Sequence, residues 1–472
     1  KRHRNIIEQS DRVAESRDAW IARNAFFYKE DCNFMRFLIP EGLTILELGC
    51  GTGNLLSKLS PSRGVGIDIS PRMIEVATRN HQNLEFRVGD IEDPATFVGL
   101  DGPFNIIILS DTIGALEDCE TTLTNLHALC RRDTRIIIVY YSHLWEPLLN
   151  LAERFGGKMP QPRQNWLSTQ DISALLELAD FEIIKQEWRQ LLPKRLLGLG
   201  RLLNRFIAPL PLLRRLCLRS YVVARPATGI LEPPPSATVI VPCRNEMGNI
   251  EAIAQRMPRF CDDLEIIFVE GHSSDGTYEE ALRVKKAYPE YDIKVMRQTG
   301  IGKGNAVRLG FDRASGDVLM ILDADMTVPP EDMPKFYFAL VRGKGEFING
   351  TRFVYPMEDE AMRFLNFWAN RTFSLIFSYL LNQRFTDTLC GTKVLLNDAY
   401  KRIVTNRSYF GNFDPFGDFD LIFGAAKLNL KIIEIPIRYR ARSYGSTQIS
   451  RFTHGWLLLR MLLFAFRKLK AF

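Results

Sequence analysis

Two groups of residues in this chain have the types and spacing that chemistry on nucleoside-containing molecules requires. The first is the glycine turn 49–53, which follows the short apolar run 44–48. Glycines at such a position let the backbone turn sharply and approach a ligand closely. The second is the pair Asp323 and Asp325, which ends the apolar run 318–322. Two carboxylates two residues apart reach one hard cation where the backbone bends, which predicts an Mg²⁺ or Mn²⁺ site for a diphosphate.

The bulk composition is that of a globular protein with more than one domain. The chain has 472 residues, of which 46% are hydrophobic and 25% charged, and this length favours two or three domains. The eight cysteines lack the spacing of a zinc site, which favours reduced thiols in the cytosol over a disulfide framework. The first residues lack the apolar run of a secretory signal. A start without Met is interpreted as a trimmed or processed end.

Basic residues are concentrated in two segments of an otherwise acidic chain. Segment 189–230 has nine Lys or Arg residues and segment 435–472 has eight, and neither has an acid. Both are rich in Leu and Phe, which favours a peripheral position on an anionic membrane surface over contact with nucleic acid. The alternative is a Leu-rich core helix with a solvated basic face. Run 456–466 is too short to span a bilayer.

In the first half, a polar residue follows each of four apolar runs. Asp68 ends the second run, Asp90 follows the third, and Ser110 follows the fourth. The carboxyl ends of parallel strands meet at one edge of a sheet, so these side chains should line one crevice. An acid after the second strand is placed to bind ribose hydroxyls. The glycine pattern is GxGxG and continues with Asn54, which favours a cofactor other than a dinucleotide.

This half, over about residues 30–226, resembles the class I S-adenosylmethionine-dependent methyltransferases. The matching motifs are the stretch 47–53, Asp68 and Gly89-Asp90. The resemblance implies that Glu47 faces the methionine part of the cofactor, Asp68 the ribose, and Asp90 the adenine. The full set of implied cofactor-binding residues is Glu47, Gly49, Gly51, Gly53, Asp68, Asp90, Ile91 and Ser110.

The methyl acceptor is less defined by the sequence. His143 is the candidate base, with Glu146 and Tyr141 as alternatives, while Tyr141 could equally pack a lid. Ser110 is not followed by the Pro-Pro-aromatic stretch that is typical of base-methylating enzymes, which argues against nucleic acid. The basic, Leu-rich stretch 194–218 is inserted in the expected closing strand hairpin. That insertion predicts a lipid-linked acceptor.

The second half contains further elements in the order that a sugar-nucleotide site requires. Strand-like run 237–242 precedes Asn245, run 265–269 precedes Glu270, and a glycine turn carries Lys303. One Asp-x-Asp pair is a weak signal by itself. At the end of a strand and after these elements in order, it strongly predicts a metal-diphosphate site.

This half, 237–472, resembles the family 2 glycosyltransferases with a GT-A fold, above all the polyprenyl-phosphate branch that includes dolichol-phosphate mannose synthase. The resemblance implies inversion at the anomeric carbon, with Asp323 and Asp325 as metal ligands, Asp325 in catalysis, and Asp387 as the acceptor-side acid or base. The implied nucleotide-sugar residues are Pro242, Asn245, Glu246, Glu270, Asp275, Lys303 and Asp323. The implied acceptor-phosphate residues are Arg352, Arg442 and Ser446.

Two positions depart from that family's pattern. Glu270-Gly271-His272 stands where the family has Asp-Asp-Gly, so one acid is missing. Thr327 stands where the family often has Gln. The first departure bears on the nucleoside pocket, and the second bears on the geometry of the metal.

Together these patterns predict an α/β protein of two domains, Rossmann-like and then GT-A. We expect domains at 1–226 and 237–472, joined by a proline-rich linker at 227–236. The hypothesis is a bifunctional, peripheral enzyme at the cytoplasmic face of the membrane, either monomeric or oligomeric. It would transfer a sugar to a polyprenyl phosphate and methylate a related glycolipid or precursor. The alternatives are a soluble glycan or metabolite as acceptor, and a methyltransferase half that only binds or scaffolds.

Overall fold

The computed structural model describes residues 2–162, 164–355, 364–410, 419–440, 444 and 451–471. The chain divides into two compact units, one formed by Lys1–Ala227 with Lys470–Phe472 and the other by Thr228–Leu469. Each unit is an α/β structure with its own sheet and apolar core, as the sequence predicts. No helix in the described part of the chain combines the length and apolar character needed to span a bilayer.

The first unit is built on a mixed sheet with the strand order β3-β2-β1-β4-β5-β7-β6. Five strands run parallel, whereas β7 is antiparallel to both β5 and β6. The strands are β1 Thr44–Leu48, β2 Arg63–Asp68, β3 Glu85–Val88, β4 Ile106–Ser110, β5 Arg135–Tyr141, β6 Phe181–Arg189 and β7 Arg219–Pro226. The helices are α1 Arg2–Arg23, α2 Ala25–Leu38, α3 Asn54–Lys58, α4 Pro71–Asn80, α5 Cys119–Asn125, α6 Glu146–Arg154, α7 Thr169–Leu178 and α8 Leu199–Leu202.

The central strands of this sheet are mostly apolar, as is typical of parallel strands whose two faces are both covered. Strand β5 is buried at every position, and β1 is buried at all but its first. The predicted hairpin that closes the sheet is confirmed, since β6 and β7 pair antiparallel. Strand order reverses between β1 and β4, and the crevice at that point is where ligands bind in open α/β sheets.

The second unit is built on a mixed sheet with the order β10-β9-β8-β11-β13-β12-β14. Strands β10, β9, β8 and β11 are parallel, and β13 is antiparallel to its two neighbours. The strands are β8 Ala237–Cys243, β9 Leu264–Glu270, β10 Asp292–Arg297, β11 Val318–Ile321, β12 Phe347–Thr351, β13 Lys393–Leu396 and β14 Ile432–Pro436. The helices are α9 Met247–Arg256, α10 Thr277–Ala287, α11 Lys303–Arg313, α12 Met333–Val341, α13 Phe364–Leu381, α14 Asn397–Thr405, α15 Phe419–Lys427 and α16 Arg451–Leu469.

Several cations of the two basic segments are buried in the protein. In the first segment Arg189, Arg219 and Arg225 are buried, because they lie on strands β6 and β7. In the second, Lys470 is buried and donates a hydrogen bond to Glu187 at 3.0 Å. Counts of charge along a sequence cannot separate these paired, buried cations from exposed ones.

Candidate active sites

The glycine turn after β1 forms the floor of a cavity at the carboxyl edge of the first sheet. Gly49 and Gly51 have φ angles of +75° and +53°, which side chains rarely adopt. A Cβ atom on Gly49 would lie 2.3 Å from Oγ1 of Thr112. That hydroxyl donates a hydrogen bond to the carbonyl of Leu48 at 2.9 Å. Only glycine therefore lets the end of β4 come this close to the turn.

Asp68 lies beside this turn at the end of β2. Its Oδ2 accepts a hydrogen bond from the Gly51 amide at 2.8 Å, and its Oδ1 accepts one from the Ser70 amide at 2.9 Å. Burial raises the pKa of Asp68 although both amides oppose that shift. The carboxylate is thus held in position at the cavity wall, where it could accept hydrogen bonds from a ribose.

The cavity brings together most of the residues predicted to bind the cofactor. A first cavity is lined by Gly49, Gly51, Asp68, Asp90, Ile91 and Ser110. An adjoining cavity is lined by Glu47, Gly49 and Ser110. Gly53, the N-cap of α3, belongs to neither lining among the described residues. Its role as a cofactor-binding residue remains a prediction.

Glu47 provides the test of whether S-adenosylmethionine fits this site. The side chain is buried, and among the described residues its Oε2 atom makes no hydrogen bond. Burial raises the pKa of Glu47 to about 8. A buried carboxyl oxygen without a partner is costly. The ammonium group of the methionine part would supply both the missing donor and an opposite charge, so these residues fit the cofactor.

Helix α1 forms a further wall of the first cavity, which the sequence analysis missed. Arg17 lines both cavities, and a Cβ on Gly51 would lie 2.9 Å from its Cζ. The positive charge of Arg17 opposes the rise in pKa of both Glu47 and Asp68. At the other end of α1, the ring nitrogens of His3 lie 2.9 Å from Asp90 and 2.8 Å from Glu92. No local pattern marks these residues, because only the fold brings α1 to the sheet edge.

Asp111 is the acid that both cavities share on the side away from Asp68. Its φ angle is +57°, a strained conformation for this residue and one that clusters at functional sites. Arg219, which is 1% exposed, lies 2.5 Å from Asp111 and 3.1 Å from Asp31. Tyr221 also donates a hydrogen bond to Asp31. This buried network fixes Asp111 against the cofactor cavity.

The three residues predicted as acceptor-side bases are not among the described residues that line the two cavities. His143 is exposed, Glu146 is half-buried, and neither is among the described residues that line the two cavities. Tyr141 is buried, its ring lies 4.6 Å below the Arg219 guanidinium, and burial raises its pKa well above the usual range. Packing beneath Arg219 explains the position of Tyr141, and no role in proton transfer is needed.

We expect binding of the methyl donor to release a proton from Glu47. In the free site Glu47 stays protonated up to a pH of about 8. A cationic group beside it favours the carboxylate, so donor affinity should rise with pH, by up to about tenfold per unit below that pKa. Calorimetric titrations in buffers with different ionisation enthalpies would measure the release. Glu47→Gln should abolish it, exposed Glu41→Gln should not, and buffer-independent heat for the unmodified protein would contradict the prediction.

In the second unit, the loops after β8 and β9 interlock at the carboxyl edge of the sheet. The side chain of Asn245 accepts a hydrogen bond from the Ser274 amide at 2.9 Å. The carboxylate of Asp275 accepts hydrogen bonds from the amides of Met247 at 3.1 Å and Thr277 at 3.0 Å. Burial opposes ionisation of Asp275, but a hydrogen bond from the Thr277 hydroxyl, together with those from the two amides, outweighs burial and lowers the pKa of Asp275. The predicted nucleoside residues are therefore brought together as one rigid loop pair.

Glu270, Gly271 and His272 stand where the family pattern has Asp-Asp-Gly. Glu270 ends β9, is buried, and accepts a hydrogen bond from the Ser273 amide. His272 has a φ angle of +60°, and its Nε2 lies 3.2 Å from the carbonyl oxygen of Gly300. The imidazole thus links the loop after β9 to the glycine turn that contains Lys303. Pro242 lies one residue before the end of β8, and Glu246 occupies the N-cap position of α9.

The Asp-x-Asp pair follows β11 in a tight turn. Met326 has a φ angle of +56°, so the backbone bends immediately after Asp325, as chelation by both acids requires. Lys303 lies 2.6 Å from Asp323. Burial alone would raise the pKa of Asp323. The charge and the hydrogen bond of Lys303 oppose burial, and the pKa of Asp323 is lowered. Thr327 donates a hydrogen bond from its hydroxyl to Oδ1 of Asp325 at 2.8 Å, so it orients the acid where the family often has Gln. Two half-buried carboxylates at one bend fit a hard divalent cation.

Asp387 and Arg352 form a buried pair next to β12 and β13. Arg352 donates from Nε at 2.6 Å and from Nη2 at 2.8 Å, and the amides of Leu389 and Cys390 donate to the same carboxylate at 3.1 Å. Asp387 is completely buried. This geometry indicates that Asp387 positions Arg352 and the following loop. The other two predicted phosphate ligands, Arg442 and Ser446, lie outside the described residues.

Replacing Gly391 with Ala should lower sugar transfer by about a hundredfold or more. A Cβ at this position would lie 1.9 Å from Oδ2 of Asp323 and 2.5 Å from Nζ of Lys303, so the pair must separate. Misplacement of a positioning group by about 1 Å costs on the order of 10²-fold in rate. Turnover of the nucleotide sugar measures the effect. Gly229→Ala, where a Cβ meets open space, serves as control, and equal rates for the two variants would contradict the prediction.

Comparison with known proteins gives one family match in each half of the chain. The model of a methyltransferase domain matches residues 22–186, and the model of glycosyl transferase family 2 matches residues 238–404. A dolichol-phosphate mannosyltransferase from Pyrococcus furiosus is 39% identical over 120 residues, which are 25% of this chain and 33% of that protein. The chain thus matches about a third of the length of that relative.

Solved structures similar to each half show low sequence identity. A SAM-dependent methyltransferase from Thermotoga maritima is 18% identical with a TM-score of 0.37, covering 47% of this chain and 99% of the other. Glucosyl-3-phosphoglycerate synthase from Mycobacterium tuberculosis is 17% identical with a TM-score of 0.38, covering 50% of this chain and 80% of the other. From the family matches, the chain combines two transferase domains, a methyltransferase domain and a family 2 glycosyltransferase domain, each built on its own α/β sheet.

Proposed function

We propose that the second domain transfers a sugar from a nucleotide sugar to a polyprenyl phosphate, with inversion at the anomeric carbon. We also propose that the first domain methylates a related glycolipid or its precursor, and that both reactions occur at the cytoplasmic face of a membrane. The proposed domain limits are 1–226 and 237–472. The observation that carries the proposal is the placement of Lys303, Asp323 and Asp325 at one sheet edge, in a chain similar to a dolichol-phosphate mannosyltransferase.

The proposed sugar transfer is an in-line displacement. A phosphate oxygen of the acceptor attacks the anomeric carbon while the bond to the diphosphate breaks, and the electron pair leaves with that diphosphate. Asp323 and Asp325 would hold a Mg²⁺ or Mn²⁺ ion, which supplies electrostatic stabilisation of the leaving group. Because a phosphate acceptor is already ionised, the step needs no strong general base. Asp387 accordingly acts by orienting Arg352 toward the acceptor phosphate, where charge-assisted hydrogen bonds are strongest.

For the methyl transfer, we propose that Asp111 replaces His143 as the acceptor-side residue. Asp111 lines both cavities, and the buried Arg219 fixes its orientation. Methyl transfer to a hydroxyl needs alignment of the oxygen with the donor methyl group and an acceptor for the proton. The carboxylate of Asp111 would accept a hydrogen bond from that hydroxyl and then its proton.

The experiment for the sugar transfer is turnover of a panel of nucleotide sugars with Mg²⁺ or Mn²⁺, with and without a polyprenyl phosphate. Mass spectrometry of the released nucleoside diphosphate identifies the donor. Release that depends on the lipid supports the proposal, whereas equal release without lipid would favour a soluble acceptor. Adding S-adenosylmethionine with a labelled methyl group to the same reaction then shows whether the glycolipid product accepts it. A glycolipid that stays unlabelled would contradict the methylation part.

A further inference from the structure

The insertion between β6 and β7 presents several large apolar side chains to solvent and turns the polar side chain of Asn204 toward the protein. On helix α8 and the π-helical turn that follows, Leu203–Ile207, the positions Gly200, Asn204 and Ala208 are buried. The opposite face exposes Leu199, Leu202, Phe206 and Leu210. This spacing of three and four residues is one stripe of a helix. A helix on a soluble protein ordinarily has the reverse arrangement, so the exposed stripe needs a partner.

Hydrogen bonds fix this inverted orientation. Oδ1 of the buried Asn204 accepts from the Leu192 amide at 2.9 Å, and its Nδ2 donates to the Leu192 carbonyl at 2.9 Å. Rotating the helix to bury the apolar stripe would expose Asn204 and break both bonds. The two hydrogen bonds of Asn204 therefore keep the apolar stripe exposed.

Helix α6 extends the apolar surface. It has no buried residue, and it exposes Leu148 and Leu151, with Leu144 before it and Phe155 after it. Trp145, at the start of α6, donates a hydrogen bond from Nε1 to the carbonyl of Leu216 in the insertion at 2.8 Å. We call the combined surface of α6 and segment 194–216 the apolar rim. Leu212, also on this rim, is 89% exposed.

The charges on the rim are mostly positive, and its acids are Glu146 and Glu153, both half-buried on α6. The insertion exposes Lys194, Arg195, Arg201, Arg205 and Arg215, and segment 189–230 contains no acid. On α6 the acid Glu153 pairs with Lys158 at 3.3 Å. Exposed Leu and Phe side chains between cations have the composition of elements that lie in the headgroup region of anionic bilayers. A protein partner would need an acidic, apolar groove, whereas a bilayer supplies both features without a specific sequence.

We propose that the apolar rim docks the methyltransferase domain onto an anionic lipid bilayer. The chain leaves α6 and continues directly to Met159, Pro160 and Gln164, which line the cofactor cavity. A bilayer at the rim thus lies one loop away from the cavity and from its acceptor-side Asp111. Resting on the proposed function, this position assigns the methyl acceptor to the class of membrane-resident amphiphiles that reach the site from the lipid.

Sedimentation of the full chain with lipid vesicles tests the rim. The vesicles are phosphatidylcholine alone or phosphatidylcholine mixed with phosphatidylglycerol, at low and high salt. The variant Leu202→Glu/Phe206→Glu changes two exposed side chains and places negative charge on the rim. The control, Val98→Glu/Leu178→Glu, makes the same change at two exposed apolar residues of the same unit, which are 78% and 65% exposed, outside the rim.

We expect the unmodified chain and the control to bind the anionic vesicles, more weakly at high salt. The rim variant should lose about tenfold or more in affinity. Equal binding by both variants, loss of binding by both, or no preference of the unmodified chain for anionic vesicles would overturn the proposal. Nucleotide-sugar turnover with a short, water-soluble polyprenyl phosphate is measured on the same preparations. Turnover that fails while the vesicle result holds would reject the proposed sugar transfer alone.

Discussion

Replacing Asp323 with Asn should reduce sugar transfer by at least about a thousandfold. The substitution removes one of two carboxylates placed to hold the cation, and it removes the ion pair that Asp323 makes with Lys303 at 2.6 Å. Stabilisation of the charge that develops on a leaving group is usually the largest contribution to catalysis, and loss of one group costs about 10²–10³-fold. Here the cation itself would be displaced as well. Turnover of the nucleotide sugar at saturating Mg²⁺ or Mn²⁺ measures the effect.

A matched exposed acid separates this effect from a general loss of charge. Asp398, whose side chain is 90% exposed, lies in the same unit and forms a 3.6 Å pair with Lys401. Asp398→Asn should turn over at the unmodified rate. Asp325→Asn should resemble Asp323→Asn, and a chelator should inhibit the unmodified protein. Full activity of Asp323→Asn, or activity that survives removal of divalent cations, would show that the pair holds no catalytic metal.

Replacing Arg219 with Met should destabilise the methyltransferase unit by about 3–5 kcal/mol. The side chain is 1% exposed and lies between the carboxylates of Asp31 and Asp111. Burial opposes the charged form of Arg219, but the two acids outweigh it and raise its pKa. Removing one partner of a buried ionic network leaves uncompensated charge, which accounts for the size of the loss. Calorimetry should show a lower melting temperature for one transition, with the other unit unaffected.

The exposed pair Arg79 and Glu15, at 2.8 Å in the same unit, is the comparison. The Arg79→Met variant should leave the melting temperatures of both transitions unchanged, because solvated ion pairs contribute little to the free energy of unfolding. Loss of methyl-donor binding in Arg219→Met, at temperatures where that unit is still folded, would further indicate that the network positions the cavity wall. A melting temperature equal to that of the unmodified chain would mean that Asp31 and Asp111 find other partners.

The sequence predicts local features of both sites well. The glycine turn, the acid after β2 and the acids after β11 each follow an apolar strand directly, so pattern and period are enough to place them. The α/β class and the two-domain organisation follow from the same alternation of elements. Asn245 and Glu270 were also placed correctly at strand ends, because the chain position of a residue after a parallel strand determines its edge.

Long-range contacts account for what the sequence did not reveal. Arg17 and His3 reach the cofactor cavity only because α1 packs against the sheet edge. Arg219 is one of the nine cations in segment 189–230, and no local signal distinguishes a buried arginine whose acids lie more than a hundred residues away. Asp387 was expected to act on the acceptor, yet its oxygens are engaged by Arg352 and by backbone amides. Assigning a role to such a residue requires knowing which hydrogen-bond and charge partners it already has in the fold.

The wall that α1 gives to the cofactor cavity has a kinetic consequence. The helix fully buries only Ala14 and Ile21, and Ala14 packs with Val13 against Met73 and Val76. Its further contacts include polar ones, such as Asp11 with Ser70, and Asp18 with Thr52 at 2.8 Å. Segments with few buried apolar contacts open at low free energy. The residence time of the spent cofactor should therefore follow the opening rate of α1. Release of the spent cofactor, and not methyl transfer, would then limit the turnover rate of the first domain.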